Sequence, residues 1–259
     1  MSRLVSTHSY CSSAQDDSYR QVDLYVPENA SADTPLIVFV HGGAWRSEDK
    51  AEHEPLANML CSQGFTVAVP NYRLSLRPTP DAPPAVQHPS HIDDIAQSIA
   101  YLTSEPPRTG VYDPSKIFLV GHSAGAHIVT MLVLSPSYNV PDVRGVVGAD
   151  GIYDLQLLLK DYPTYDFVPQ AFGSDAAAYD AASPTHQKPN TLVPPILIVH
   201  SLQDELLNLA QAEVMLQHLE SLDAKVQLDT SVPGKHHEMV HTKEFVRSIT
   251  QFVSECLKQ

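Results

Sequence analysis

A chain of 259 residues with 43% hydrophobic content is long enough to bury the core of an α/β domain, and 16 basic against 30 acidic residues leave a formal charge of −14. That balance disfavours nucleic acid and anionic membrane surfaces, which both require clustered Lys and Arg, and leaves a small-molecule substrate as the expected partner. Cys11, Cys61 and Cys256 show neither a paired disulfide framework nor metal-ligand spacing. With no apolar signal core, no Arg-rich leader and no apolar run near about eighteen residues, a reducing, cytoplasmic setting is expected, with Cys11 simply exposed.

In chain order, residues 22–26 and 36–40 read as strands, 53–63 as a helix, 65–69 as a strand and 89–103 as a helix with apolar residues at 92, 95, 96, 99 and 102. Strand 116–120 runs into helix 124–134. Strands 143–149, 195–200 and 225–229 follow, and helices are expected at 208–222 and 239–257. This alternation predicts an α/β fold with a mostly parallel central sheet and helices on both faces, formed as one domain over residues 1–259. Two stretches break the rhythm, the Pro-rich connection 77–89 and the long segment 151–195. The latter is expected to be an insertion covering the C-terminal strand ends, where open α/β sheets bind ligands.

The chemistry-bearing motifs lie at those strand ends. Gly121-His122-Ser123-Ala124-Gly125 is a G-x-S-x-G pattern between a strand and a helix, the setting that strains a turn and exposes a serine hydroxyl, so Ser123 is the candidate nucleophile. G-x-S-x-G alone is weak, since common residues produce it by chance. Upstream, His41-Gly42-Gly43-Ala44-Trp45 ends a strand in the form of an oxyanion loop. Acyl transfer puts negative charge on the carbonyl oxygen, and the expected backbone donors to it are Gly43, Ala44 and Ala124, with His41 bracing the loop. After strand 195–200, Asp204 is the candidate acid. Glu205 is adjacent but points elsewhere, and Asp150 lies one strand earlier than the commonest arrangement. After the last strand, His236 is the candidate base, with its neighbour His237 as the alternative.

The segments His41 to Trp45, Asn71-Tyr72-Arg73-Leu74, Gly121 to Gly125 and the late Asp and His resemble the α/β-hydrolases related to hormone-sensitive lipase. Asp150-Gly151-Ile152-Tyr153-Asp154-Leu155, then Leu158-Leu159-Lys160-Asp161-Tyr162-Pro163-Thr164-Tyr165, His200-Ser201 and Asp204-Glu205-Leu206-Leu207 resemble the fungal kynurenine formamidases more closely. The resemblance runs from about Leu36 to the C-terminal helix. It implies the α/β-hydrolase fold, no metal or cofactor, and cleavage of N-formyl-L-kynurenine to L-kynurenine and formate, a step of tryptophan degradation toward NAD. On that reading Ala44, Ala124 and the glycines surround a formyl-sized acyl group, while Trp45, Tyr72, Tyr153 and Phe167 pack against the aromatic ring. A homodimer is compatible with it. Two rivals stay open, a general short-chain carboxylesterase and a non-catalytic ligand-binding homologue of the same fold.

Overall fold

Strand β3 (Leu36–Val40) shows how the sheet acquires a core on each face: Leu36, Val38 and Val40 enter one apolar cluster, Ile37 and Phe39 the other, none more than 1% exposed. Alternation across a pleat that is buried on both sides produces this, and it explains why the run is continuously apolar. β4 (Thr66–Pro70) and β5 (Ile117–His122) divide their side chains between the same two clusters. The computed structural model describes residues 3–13, 17–79, 82–140 and 143–258.

The remaining strands are β1 (Arg3–Ser9), β2 (Gln21–Val26), β6 (Val143–Ala149), β7 (Ile196–Val199) and β8 (Val226–Asp229). They form one eight-stranded sheet in the order β1-β2-β4-β3-β5-β6-β7-β8. The pairings of β1 with β2 and of β2 with β4 are antiparallel, and all others are parallel. Helices α1 (Glu54–Ser62) and α7 (Lys243–Cys256) cover one face; α2 (Ser90–Ser104), α3 (Ala124–Leu134) and α6 (Ala210–Ser221) cover the other. This is the mostly parallel, doubly covered sheet of an α/β-hydrolase, as expected. No helix among the described residues is long and apolar enough to cross a membrane.

Two local expectations need correction, and one strand was missed. β1 was not foreseen, because its Ser-Thr-His-Ser stretch lacks an apolar pattern and it forms through the backbone ladder with β2. The C-terminal helix does not start at Met239. A short 3₁₀ turn spans Met239–His241, and Thr242 restarts the chain as an N-cap, its Oγ1 accepting the Phe245 amide at 3.2 Å. Cys11 is not exposed but 3% accessible, with Arg20 Nη1 donating to its Sγ at 3.2 Å.

Within 151–195 lie α4 (Leu155–Asp161) and α5 (Phe167–Phe172). α5 packs toward the loop after β3: Phe172 makes an edge contact with Trp45 at 4.8 Å between centroids, and Gln170 accepts from Arg46 at 3.0 Å. The same helix holds the Pro-rich connection, with His88 N donating to Ala171 O at 2.7 Å. Pro80 and Asp81 of that connection lie outside the described residues.

Candidate active site

β5 passes directly into α3, and Ser123 is the single residue between them, at φ 53° and ψ −117°. A non-glycine residue in that region is strained by about 1–3 kcal/mol and persists only where neighbours over-determine it. Here the Ser123 amide donates to Ala149 O at 2.9 Å, tying the turn to β6. Gly125 sets the depth of the turn, since a Cβ there would lie 2.0 Å from Val40 O.

The loop after β3 brings Gly42 against this turn, so close that a Cβ on it would lie 3.0 Å from Ser123 Cβ. The next residues turn left-handed in succession, Gly43 at φ 80°, Ala44 at 51° and Trp45 at 57°. Gly43 cannot be replaced there, because a Cβ would also meet Ser47 O at 2.1 Å. The loop carbonyls are held from behind. Gly43 O accepts from the Arg46 and Ser47 amides, each at 2.9 Å, Trp45 O from the Ser75 amide at 2.8 Å, and Gly42 O from the Tyr72 hydroxyl at 2.7 Å. With those carbonyls engaged, the amides of Gly43, Ala44 and Ala124 donate to no acceptor among the described residues. They are left as donors in the loop that closes on Ser123 and at the start of the helix after it.

The loops after β7 and β8 bring an acid and an imidazole together. Asp204 Oδ2 accepts from His236 Nδ1 at 2.7 Å, and both side chains are at most 3% exposed. Because a carboxylate only accepts, the Nδ1 carries a proton, which in the neutral ring leaves the lone pair on Nε2. Asp204 Oδ1 accepts the Leu206 and Leu207 amides at 2.7 and 2.9 Å. Burial raises the pKa of Asp204, but the His236 bond and these amides outweigh it and hold the carboxyl below its ordinary value. His237 sits differently: its side chain is 63% exposed, and its Nδ1 lies 3.7 Å from Glu48 Oε1. The alternatives for the acid take other posts. Glu205 Oε2 accepts the His236 amide at 3.1 Å, and Asp150 is buried at the end of β6.

Of the four aromatic candidates, Trp45, Tyr72 and Tyr153 are fully buried. Trp45 is wedged edge-on between His127 and Phe172, and Tyr72 stacks on His41 at 4.5 Å while its hydroxyl braces Gly42. Phe167 is half-buried, against Tyr165 at 4.8 Å and beneath the Arg46 guanidinium at 5.7 Å. Two clusters have metal-ligand chemistry, His122–Asp150–His236 and Asp150–His200–Asp204, their ligating atoms within 4.8 Å of one another. Several of these atoms are committed elsewhere, since His122 Nε2 donates to His236 O at 2.9 Å and His236 Nδ1 to Asp204.

A family model for BD-FAE matches residues 22–219, three quarters of the chain, including the Gly42–Gly43 loop, Ser123 and Asp204. The chain belongs to the BD-FAE family. This BD-FAE member is an α/β-hydrolase related to kynurenine-formamidase-like proteins. It is 33% identical to a kynurenine formamidase of Eremothecium gossypii, over 80% of this chain and 88% of that one. It is 31% identical to a kynurenine formamidase of Meyerozyma guilliermondii, over 84% and 83%. Among solved structures, an inhibited esterase B from Lactobacillus rhamnosis superposes with a TM-score of 0.82 at 20% identity, covering all of this chain and 88% of that one.

One residue that shapes the BD-FAE site escaped the sequence reading. Glu48, itself at φ 71°, accepts the Gly42 amide at 3.1 Å and the His53 Nε2 proton at 3.1 Å, fixing the loop from its far end. Burial works against its charge, yet the His53 bond and the surrounding imidazoles bring its pKa down to about 2. The sequence carries no local signal for it, because His41 and His122 become its neighbours only after folding.

Proposed function

We propose that the protein is a serine hydrolase that cleaves the formamide of N-formyl-L-kynurenine, releasing L-kynurenine and formate. The observation that carries this reading is the 31–33% identity, over at least four fifths of each chain, to two proteins named for that activity. The loop chemistry is compatible with it. Ala44, Ala124, Gly42 and Gly43 place only backbone and methyl groups beside Ser123, a lining suited to the smallest acyl group. Behind them Trp45, Tyr72 and Tyr153 fix the shape of that side, while the half-buried Phe167 takes the arylamine.

In this mechanism Ser123 Oγ attacks the formyl carbon as its proton passes to His236 Nε2. The oxyanion that forms is held by the amides of Gly43, Ala44 and Ala124, each donor contributing about 3–4 kcal/mol. Collapse breaks the C–N bond, and His236 Nε2–H protonates the departing arylamine nitrogen. Water then attacks the formyl-serine, giving its proton to His236, and formate leaves as the proton returns to Ser123 Oγ. Asp204 keeps the imidazole in the required tautomer and stabilises it when charged. Residues 151–195 cover the site within the same domain.

The test is a series of formyl, acetyl and butyryl anilides and esters sharing one leaving group. Under this reading, lengthening the acyl group costs well beyond the ordinary 1–3 kcal/mol per methylene, because the added carbons overlap backbone at Gly43, Ala44 or Ala124. Rates that rise with acyl length would instead mark a general carboxylesterase, whose pocket rewards added apolar area.

A further inference from the structure

The proposed reaction leaves unused a carboxylic acid at the end of β6. Asp150 has φ 40°, a strained value for a non-glycine residue, and is 0% exposed. Its amide donates to Val199 O at 2.9 Å, and its Oδ1 accepts the Ser201 amide at 2.8 Å, so the end of β7 clamps it from both sides. Its Oδ2 is buried and has no hydrogen-bond partner among the described residues. Asp150 and Asp204 each bring a carboxylate oxygen within 4.8 Å of the other and of a His200 ring nitrogen.

Two buried carboxylates at this separation do not both hold a charge, and the shared proton settles where fewer donors stabilise the anion. Asp204 has three donors, the Leu206 and Leu207 amides and His236 Nδ1, whereas Asp150 has the Ser201 amide. Burial, then the charge of Asp204, holds the Asp150 carboxyl well above the usual carboxylate range. His200 supplies no counter-charge: its Nδ1 lies 3.4 Å from Asp150 Oδ1, and burial favours the neutral ring. The other titratable groups around Asp150 are Glu205 from the loop after β7, His122 from the serine turn, His236 from the loop after β8, and Tyr153.

Taking Ser123, His236 and Asp204 as nucleophile, base and acid, as proposed above, we infer that Asp150 is a positioning residue. It is a neutral carboxylic acid whose O–H donates to the Asp204 carboxylate and holds that carboxylate against His236. The O–H gives the buried Oδ2 edge of Asp150 a partner, fixes the plane of Asp204, and keeps a single negative charge beside the imidazole.

The test compares kcat and its pH profile for wild type, Asp150→Asn and Asp150→Ala on a short aryl ester. Asparagine offers an N–H to Asp204 and an oxygen to the Ser201 amide, and it tolerates positive φ. Asp150→Ala is expected to lose about a hundredfold in kcat through misplacement of Asp204. Asp150→Asn should recover most of that loss with its acid limb unmoved. The infrared difference spectrum, wild type minus Asp150→Asn at pH 7, should contain the C=O band of a protonated carboxyl. If Asp150 is charged, asparagine removes a charge beside His236; an acid limb lowered by about one unit, or a difference spectrum with carboxylate bands alone, overturns the inference. Should Asp150→Ala fail to fold, the asparagine variant and the infrared band decide. Ser123→Ala in the same assay keeps the two readings apart, because turnover by that variant contradicts the triad whatever Asp150 does.

Discussion

At the scale of single residues, a serine hydroxyl is a weak nucleophile at neutral pH, and the proposed mechanism draws what Ser123 lacks from three loops. Ser123 stands in a turn of positive φ, the loop after β3 closes on that turn through Gly42, and the His236–Asp204 bond of 2.7 Å puts the imidazole proton on Nδ1. Ser123→Ala is expected to keep the fold, seen as an unchanged circular dichroism spectrum, and to lose roughly three to six orders of magnitude in kcat. Near-normal turnover would sink the serine mechanism. The adjacent histidines separate on contacts alone, since one is buried against Asp204 and the other is 63% exposed near Glu48. His236→Ala should abolish both the acylation burst and steady-state turnover, whereas His237→Ala should cost about tenfold through loop geometry. The reverse ranking would move the base to His237.

At the scale of elements, α3 approaches β3 so closely at Gly125 that no Cβ fits there. Gly125→Ala must displace Val40 O from 2.0 Å, so it should destabilise by several kcal/mol and lower Tm. Gly173→Ala meets no atom within 4 Å and suffers only the backbone strain of φ 83° with ψ 170°, a cost of about 1–3 kcal/mol. Equal losses on thermal unfolding would contradict the contact argument. These elements also show what sequence reveals. The strand, turn and helix around Ser123 were legible because a β-branched run, two small residues and a helix-forming run each carry a local signal. β1 was not, because its edge position and its Ser-Thr-His-Ser half leave it to draw its order from the ladder with β2. The positive φ of Ala44, Trp45 and Glu48 was equally hidden, since it is imposed by Ser75, Tyr72 and Gly42, contacts made across the fold. The break at Thr242 had a signal, a capping threonine within an otherwise helical run, that periodicity alone overlooks.

At the scale of the whole molecule, burial of neutral histidines makes stability depend on pH. Burial lowers the pKa of His41 to about 4, and of His91 and His127 to about 3, against 6.5 in the unfolded chain. Below pH 6.5 the unfolded state therefore binds protons that the folded state refuses, and stability falls as pH drops toward 4. Glu48, near 2 when folded, adds a loss only below about 4.5. Asp150 works the other way, because its raised pKa lets the folded state take up a proton first. His88, also lowered to about 4 by burial, makes four histidines against one acid, so the protein should be less stable to denaturant at pH 5 than at pH 7, each histidine costing about 1–2 kcal/mol and Asp150 offsetting part of the sum; equal or greater stability at pH 5 would contradict that balance. The central claim, that this fold serves formamide cleavage, is tested most directly by kcat/KM for N-formyl-L-kynurenine beside that for a short aryl ester, with kynurenine and formate both quantified. Equal amounts of the two products, dependence on Ser123, and a kcat/KM for the formamide above that for the ester are expected. Negligible hydrolysis of N-formyl-L-kynurenine by an enzyme that turns over the ester would contradict that claim.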